Sequence, residues 1–256
     1  MIVFAGPSIV GVADQIETEI DLRPPVQQGD VFLACLENPA AIGIIDGFFE
    51  GVPSVWHKEI LWALSQGVAV LGAASMGALR AAELDVFGMQ GVGNIYQAFR
   101  DGVLEDDDEV ALLHGPAEVG YPALNLAMVN ARATLEAAAT AGVITMTQAQ
   151  YATDLAKSQF YKVRTWESVF EAVGSANLSP DKCRELRDWV RHHEVDQKQQ
   201  DAAELLARLS EMRFDAPTAD FHFEETDLWL NAIKNWRRRA ANTPIPKGGG
   251  YRLFGD

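Results

Sequence analysis

Cysteine is nearly absent from this sequence. The 256 residues contain two cysteines, Cys35 and Cys183, which lie far apart and show no metal-type spacing. Neither a disulfide framework nor a cysteine-ligated zinc site is indicated. Long apolar runs are lacking as well, since no stretch approaches the roughly 20 residues needed to cross a bilayer. The chain opens on a strand-like segment at residues 2–5 without a basic region or a cleavage signal, so we expect a cytoplasmic protein with no membrane partner.

Basic side chains are scarce compared with acidic ones. The chain has 21 Lys and Arg residues against 36 Asp and Glu residues, which gives a formal net charge of −15. This charge disfavours unassisted binding to nucleic acid, and a basic protein partner is easier to envisage. Nothing in the sequence resembles a phosphate-binding loop, and we expect neither a cofactor nor a metal ion.

The first half of the chain alternates short apolar runs with amphipathic segments. Strands are predicted at residues 2–5, 31–36, 42–46, 68–72 and, less clearly, 109–114. The rest is rich in helix formers, with helices predicted at residues 123–139, 147–157, 166–173, 180–193, 197–212 and 224–240. We therefore expect an α/β fold in which an N-terminal, mostly parallel sheet with flanking helices precedes an all-helical C-terminal region. The expected divisions are a core at residues 1–120, a helical region at 121–243 and a flexible tail at 244–256.

Two strand-then-helix units at residues 41–83 each begin their helix with a chemically useful residue. Lys58 lies in the first turn of one helix, and Ser75 opens the next. Parallel strands joined by crossovers bring both helix starts to the carboxyl edge of the sheet, where open α/β sheets bind ligands. A neutral lysine can act as the base that activates a serine nucleophile. The non-catalytic alternatives are that Lys58 is an ordinary exposed helix lysine and that Ser75 caps its helix.

Other residues near this edge offer supporting chemistry. His57 precedes Lys58 and is the second candidate for the general base, although its position on the apolar face of the helix also fits a packed, hydrogen-bonded histidine. Asp46, which ends a predicted strand, and Glu83 are further candidates for acid/base or supporting roles. Arg80 either forms a local ion pair with Glu83 or holds a carboxylate or carbonyl of an incoming chain.

A run of acidic residues at 105–109 precedes His114. Carboxylates bind divalent metals, but these are consecutive and lack the alternating spacing of a calcium loop. A solvated acidic loop or a protein-docking patch is the favoured interpretation. The basic cluster at residues 237–239 lies at the end of a predicted helix, where cations interact favourably with the helix dipole, so it need not contact nucleic acid.

Several motifs in the first 120 residues together resemble the TfuA family. They are VFAGPS at residues 3–8, IIDG at 44–47, SVWHKEIL at 54–61, GAASMGALRAAEL at 72–84 and DDDEVA at 106–111. The resemblance implies a partner of YcaO enzymes, which activate a peptide backbone amide in a pathway that replaces its oxygen by sulfur. It also implies a hydrolase-like Ser-Lys site that releases sulfur from the C-terminal thiocarboxylate of a small ThiS-like carrier protein. Ser75 and Lys58 occupy the matching positions.

The resemblance suggests a mechanism for these residues. Neutral Lys58 takes the proton of Ser75, the alkoxide attacks the thiocarboxylate carbon, and sulfide leaves before water hydrolyses the acyl-enzyme. Backbone N–H groups near Gly6, Ser8 and Met76 are expected to hold the oxyanion, and Arg80 is a candidate for gripping the carrier tail. The modified peptide is a further possible partner.

Two alternatives from other classes remain open at this stage. The chain is either chiefly a docking subunit that increases the affinity of YcaO for its peptide, or a generic Ser-Lys amidase or esterase that acts on small molecules. Hydrolysis of the carrier by the isolated protein separates the first alternative from the Ser-Lys hydrolase. Turnover of simple amides would support the second.

Overall fold

A computed structural model describes residues 1–12, 20–176, 178–211 and 220–242. The chain divides into two compact units. The first contains residues 1–105, 116–121 and the chain from residue 199 onward, and the second contains residues 106–115 and 122–198. The domain boundaries expected at residues 120 and 243 stay a prediction, and the expected tail at 244–256 lies outside the described residues.

The first unit is built on a five-stranded parallel sheet. Its strands are β1 (Ile2–Phe4), β2 (Asp21–Arg23), β3 (Ala41–Ile44), β4 (Ala69–Gly72) and β5 (Gln90–Gly91). They lie in the order β2-β1-β3-β4-β5, and every neighbouring pair is parallel. The predicted fold class, a parallel sheet with helices followed by a helical region, is therefore confirmed.

Helices of the first unit accompany this sheet. They are α1 (Asp30–Cys35), α2 (His57–Ser65), α3 (Met76–Leu84), α4 (Gly93–Arg100), α9 (Gln197–Glu211, whose first two residues belong to the second unit) and α10 (Asp227–Asn242). The apolar side of α9 packs with alternate strand residues such as Val3 and Leu71 in one buried core. Gly43 in β3 lacks a side chain where α9 comes closest, since a Cβ atom there would lie 3.1 Å from Leu209. Burial of this face fixes which strand residues point toward α9.

A separate core of large rings, here called the aromatic cluster, connects α1, α2 and α10. It consists of Phe32, Trp56, Trp62, Phe223, Trp229 and Trp236. Neighbouring rings lie with centroids 4.7–6.3 Å apart, mostly tilted or edge to face, which is the arrangement that aromatic quadrupoles prefer. The helix that follows α9 in sequence is thereby attached to the first unit.

Two predicted strands are wrong. Residues 31–36 form α1 instead, because the buried carboxylate of Glu59 accepts hydrogen bonds from the N–H groups of Gly29, Val31 and Phe32 at the start of this helix. A short apolar run cannot by itself distinguish a buried helix from a strand. The weaker strand at 109–114 is also wrong, since it contains part of a 3-10 turn and, at His114, one isolated bridge. The short strands β2 and β5 were not predicted.

The second unit is helical among its described residues. It contains α5 (Met128–Thr140), α6 (Met146–Lys157), α7 (Trp166–Ala176) and α8 (Pro180–His193). Their apolar sides form one core that includes Leu135, Ala152, Val169 and Leu186. No described helix of either unit combines the length and the apolar character that a membrane span requires.

Candidate functional site

Ser75 lies at the carboxyl edge of the sheet, between β4 and α3. It is buried, with 3% of its surface exposed, and occupies the N-cap position of α3. Its side chain makes no capping hydrogen bond to this helix, so the structure does not support the interpretation of Ser75 as a simple cap. The preceding residue, Ala74, has a φ of 64°, a left-handed conformation that residues with a side chain rarely adopt. Ser75 therefore follows a sharp, strained turn of the kind that clusters at functional sites.

Glycine allows α3 to begin directly on the sheet. A Cβ atom at Gly77 would lie 1.8 Å from the carbonyl oxygen of Ile44, and one at Gly72 would lie 2.1 Å from the carbonyl oxygen of Gly77. The Gly77 N–H instead donates a hydrogen bond to the Ile45 carbonyl. Residues 73–77 (AASMG) follow the small-x-Ser-x-Gly pattern of hydrolase elbows, and the glycine at its end has a direct physical cause. Any larger residue at position 77 would push the start of α3 off the strand end.

Asp46 joins the ends of two neighbouring strands. Its buried carboxylate follows β3 and accepts hydrogen bonds from the Gly6 N–H (2.8 Å), the Ser8 N–H (3.0 Å) and the Ser8 hydroxyl (2.7 Å), all in the loop after β1. The two N–H groups expected to hold an oxyanion are therefore already engaged by a carboxylate. An oxyanion role for Gly6 and Ser8 would require Asp46 to release them, and it stays a prediction.

Met76 has a backbone N–H that is available to an oxyanion, unlike the N–H groups of Gly6 and Ser8. Its N–H is the first of α3 and makes no hydrogen bond to any residue that the structure describes, whereas the next N–H groups are bonded. Gly47 packs against this residue, since a Cβ atom on Gly47 would lie 2.8 Å from the Met76 Cγ. The turn after β3 and the start of α3 are consequently in contact beside Ser75, at the positive end of the α3 dipole.

Lys58 makes no hydrogen bond to Ser75 in this structure. Its Nζ atom lies 4.9 Å from the centroid of the Phe223 ring. The Ser-Lys pair therefore remains a prediction. Glu59, the next residue in α2, fixes this turn by accepting hydrogen bonds from the Trp56 N–H and from three N–H groups at the start of α1. Burial raises the pKa of Glu59 to about 7, although these four donors favour its ionised form.

His57, Glu83 and Arg80 form a chain of charged contacts between α2 and α3. The His57 Nε2 lies 2.8 Å from Glu83 Oε2, and Arg80 donates to the same oxygen at 2.6 Å and to the Val55 carbonyl at 3.2 Å. Burial raises the pKa of Glu83, but the His57 hydrogen bond and the Arg80 charge outweigh it, so the net shift is downward. The predicted Arg80–Glu83 ion pair is confirmed. Because Glu83 lies eight residues after Ser75, this contact is about 12 Å further along α3.

The acidic run at residues 105–109 has a structural role in the second unit. Asp108 pairs with Lys157 and with the buried Arg164, and the buried Glu109 pairs with Arg132 and Lys157. The interpretation of the whole run as a solvated loop is thus wrong for these two residues, since their basic partners lie some 20 to 60 residues later in the chain. No group of three or more side chains that could hold a metal ion occurs in the described part of the chain.

Sequence reasoning did not find two residues that shape the site. Glu59 was not among the candidate residues, although its position three residues after Trp56 is the available signal of a capping role. Phe223 lies more than 160 residues after Lys58, and no local pattern connects the two. The contact between them depends on where α10 packs.

Comparison with known proteins relates part of the chain to one family model. No curated protein matches the chain. The family model described as TfuA-like protein matches residues 46–165, a stretch that contains Asp46, Lys58, Ser75 and Glu83 and excludes Gly6 and Ser8. Over residues 46–165, the chain is therefore similar to TfuA-like proteins.

Proposed function

We propose that this protein acts beside a YcaO enzyme in peptide backbone thioamidation by hydrolysing the thiocarboxylated C-terminus of a ThiS-like carrier. TfuA-like proteins are associated with YcaO-dependent thioamidation. The observation that carries the hydrolytic part is Ser75, which is buried at the strand end after a strained residue and makes no capping bond to its helix. These features suit a nucleophile positioned by the backbone.

The proposed chemistry needs no redox partner. The Ser75 oxygen attacks the thiocarboxylate carbon as its proton passes to the base, and the C–S bond breaks to release sulfide and leave an acyl-serine. Water then attacks the acyl carbon, the ester bond breaks, and the serine hydroxyl is restored. The sum is thiocarboxylate plus water giving carboxylate plus hydrogen sulfide.

One group beside Ser75 and one further along α3 are suited to stabilise charge on the substrate. The Met76 N–H points from the start of α3, where the helix dipole favours the oxyanion that forms during attack. Arg80 is held by Glu83 and by the Val55 carbonyl, and its side chain is 13% exposed. A guanidinium fixed in this way is suited to bind a carboxylate or thiocarboxylate that enters along α3.

Lys58 is the proposed base, from the family resemblance and from its place at the start of α2. Its Nζ atom lies over the Phe223 ring and makes no hydrogen bond to Ser75 in this structure, so the side chain has to turn toward the serine before it can take the Ser75 proton. His57 is the second candidate, but its ring is bonded to Glu83 about two helical turns beyond Ser75.

Sulfide release from a thiocarboxylated ThiS-like carrier by the isolated protein tests the proposal. We expect Ser75→Ala and Lys58→Ala each to lower the rate by at least about 100-fold, the usual contribution of a general base. Ser65→Ala in α2 and Lys162→Ala in the second unit are matched controls that should keep the rate. Normal release by Ser75→Ala would refute the assignment of the nucleophile.

A non-catalytic docking role is the second candidate, and the absence of a hydrogen bond between Lys58 and Ser75 favours it. In that case the protein increases the affinity of YcaO for its peptide, and the wild type releases no sulfide by itself. Peptide binding to YcaO, measured with and without the wild type and Ser75→Ala, distinguishes the two roles. Equal enhancement by both proteins, with no release by either, would establish docking alone.

A further inference from the structure

Residues 220–226, here called the strap, run directly before α10. Among the described residues, those at 220–225 make no backbone hydrogen bond, and the strap is attached through two rings. Phe221 meets Phe87 just after α3 with centroids 5.6 Å apart, and Phe223 meets Trp229 of α10 with centroids 5.2 Å apart. A segment whose backbone makes no such hydrogen bonds belongs to the parts of a fold that open most easily.

The strap also reaches the start of α2. The Lys58 Nζ atom lies over the Phe223 ring, 4.9 Å from the ring centroid, a distance at which the charged ammonium is attracted to the ring. The helix below this lysine is fixed, because Glu59 is fully buried and binds four backbone N–H groups. Movement of the Lys58 amine therefore depends on its own side chain and on the ring that covers it.

We propose that the strap is an autoinhibitory contact that holds the Lys58 amine on Phe223 and away from Ser75 until the strap lifts. The proposal rests on the proposed function for its effect on activity, but not for the contact itself. Phe223 is a positioning residue in this scheme, since it acts on the reaction only through Lys58. It explains why a lysine at the family position is found on an aromatic ring and not on the serine.

The test compares Phe223→Leu, which removes the ring but keeps apolar volume against Trp229, with Phe223→Tyr, which keeps the ring. The first measurement is the rate at which acetic anhydride modifies Lys58, read by mass spectrometry with Lys162 as the reference lysine in the same digest. We expect Phe223→Leu to raise this rate about fivefold, the factor that corresponds to a cation–π contact of about 1 kcal/mol, and Phe223→Tyr to leave it unchanged.

The second measurement is sulfide release from the thiocarboxylated carrier by the same proteins. A rise of about fivefold in Phe223→Leu, absent in Phe223→Tyr and in Phe223→Leu combined with Lys58→Ala, supports the autoinhibitory role. An unchanged modification rate in Phe223→Leu overturns the contact, whatever the activity. Faster modification without faster release overturns the inhibition. Normal release by Ser75→Ala is a separate result, and it refutes the proposed nucleophile without touching the Lys58 modification data.

Discussion

Replacing Asp46 tests whether one carboxylate holds the loop after β1 at the carboxyl edge of the sheet. The side chain accepts three buried hydrogen bonds, from the N–H groups of Gly6 and Ser8 and from the Ser8 hydroxyl. A hydrogen bond to a charged group contributes about 1.5–3 kcal/mol, and contributions within one network do not add fully. We expect Asp46→Ala to lower the free energy of unfolding by about 3–5 kcal/mol, a large part of the roughly 5–15 kcal/mol of a typical domain.

Asp46→Asn is the graded partner of this variant. Its amide oxygen can still accept from both N–H groups, so the expected loss is about 1–2 kcal/mol. Asp107→Ala removes an exposed carboxylate from the second unit and is the control for the change in net charge. Urea unfolding followed by tryptophan fluorescence reports on the correct unit, because four of the six tryptophans lie in the aromatic cluster. A loss below about 1 kcal/mol for Asp46→Ala, or equal losses for Ala and Asn, would refute this account.

Three further predictions concern stability. Because the pKa of Glu59 is raised in the folded protein, Glu59 keeps a proton there that the unfolded chain releases. The urea midpoint should therefore fall as the pH rises from about 4.5 to about 7, and Glu59→Gln should flatten this dependence. A midpoint that rises with pH contradicts this prediction. Gly77→Ala should abolish folding of the first unit because its Cβ meets backbone, whereas Gly174→Ala, with 3.7 Å to its nearest neighbour, should be neutral or stabilising in thermal melts. A double-mutant cycle on His57 and Glu83 should give a coupling free energy of about 1 kcal/mol or less that decreases with salt, since both side chains are about 40% exposed. A coupling free energy above about 2 kcal/mol would contradict this prediction.

The parallel sheet could be predicted because β1, β3 and β4 are apolar runs bounded by glycine and separated by helix-length segments. The strands β2 and β5 could not, since they have three and two residues, are not apolar runs, and each pairs with a single neighbour at an edge of the sheet. The helix α1 was mistaken for a strand because its start depends on a carboxylate about 30 residues later. Local patterns carry no information about such a partner.

The candidate site, like the fold, could be predicted from the sequence only in part. The turn that presents Ser75 follows from the local order of alanine, serine and glycine, and it could be predicted. The orientation of Lys58 could not, because it is decided by Phe223, a residue brought there by the packing of α10. The engagement of Gly6 and Ser8 by Asp46 is a contact across about 40 residues and was equally invisible in the sequence.

The anchoring of α2 by Glu59 has a practical consequence for protein engineering. The helix start is fixed by the hydrogen bonds that join Glu59 to α1, and residues 50–53 of the chain that leads into it are exposed. A short epitope or a fluorophore-attachment sequence inserted between Gly51 and Val52 should therefore leave the first turn of α2 in place. Such an insertion would give a reporter beside the candidate site while the native lysines and cysteines remain unlabelled.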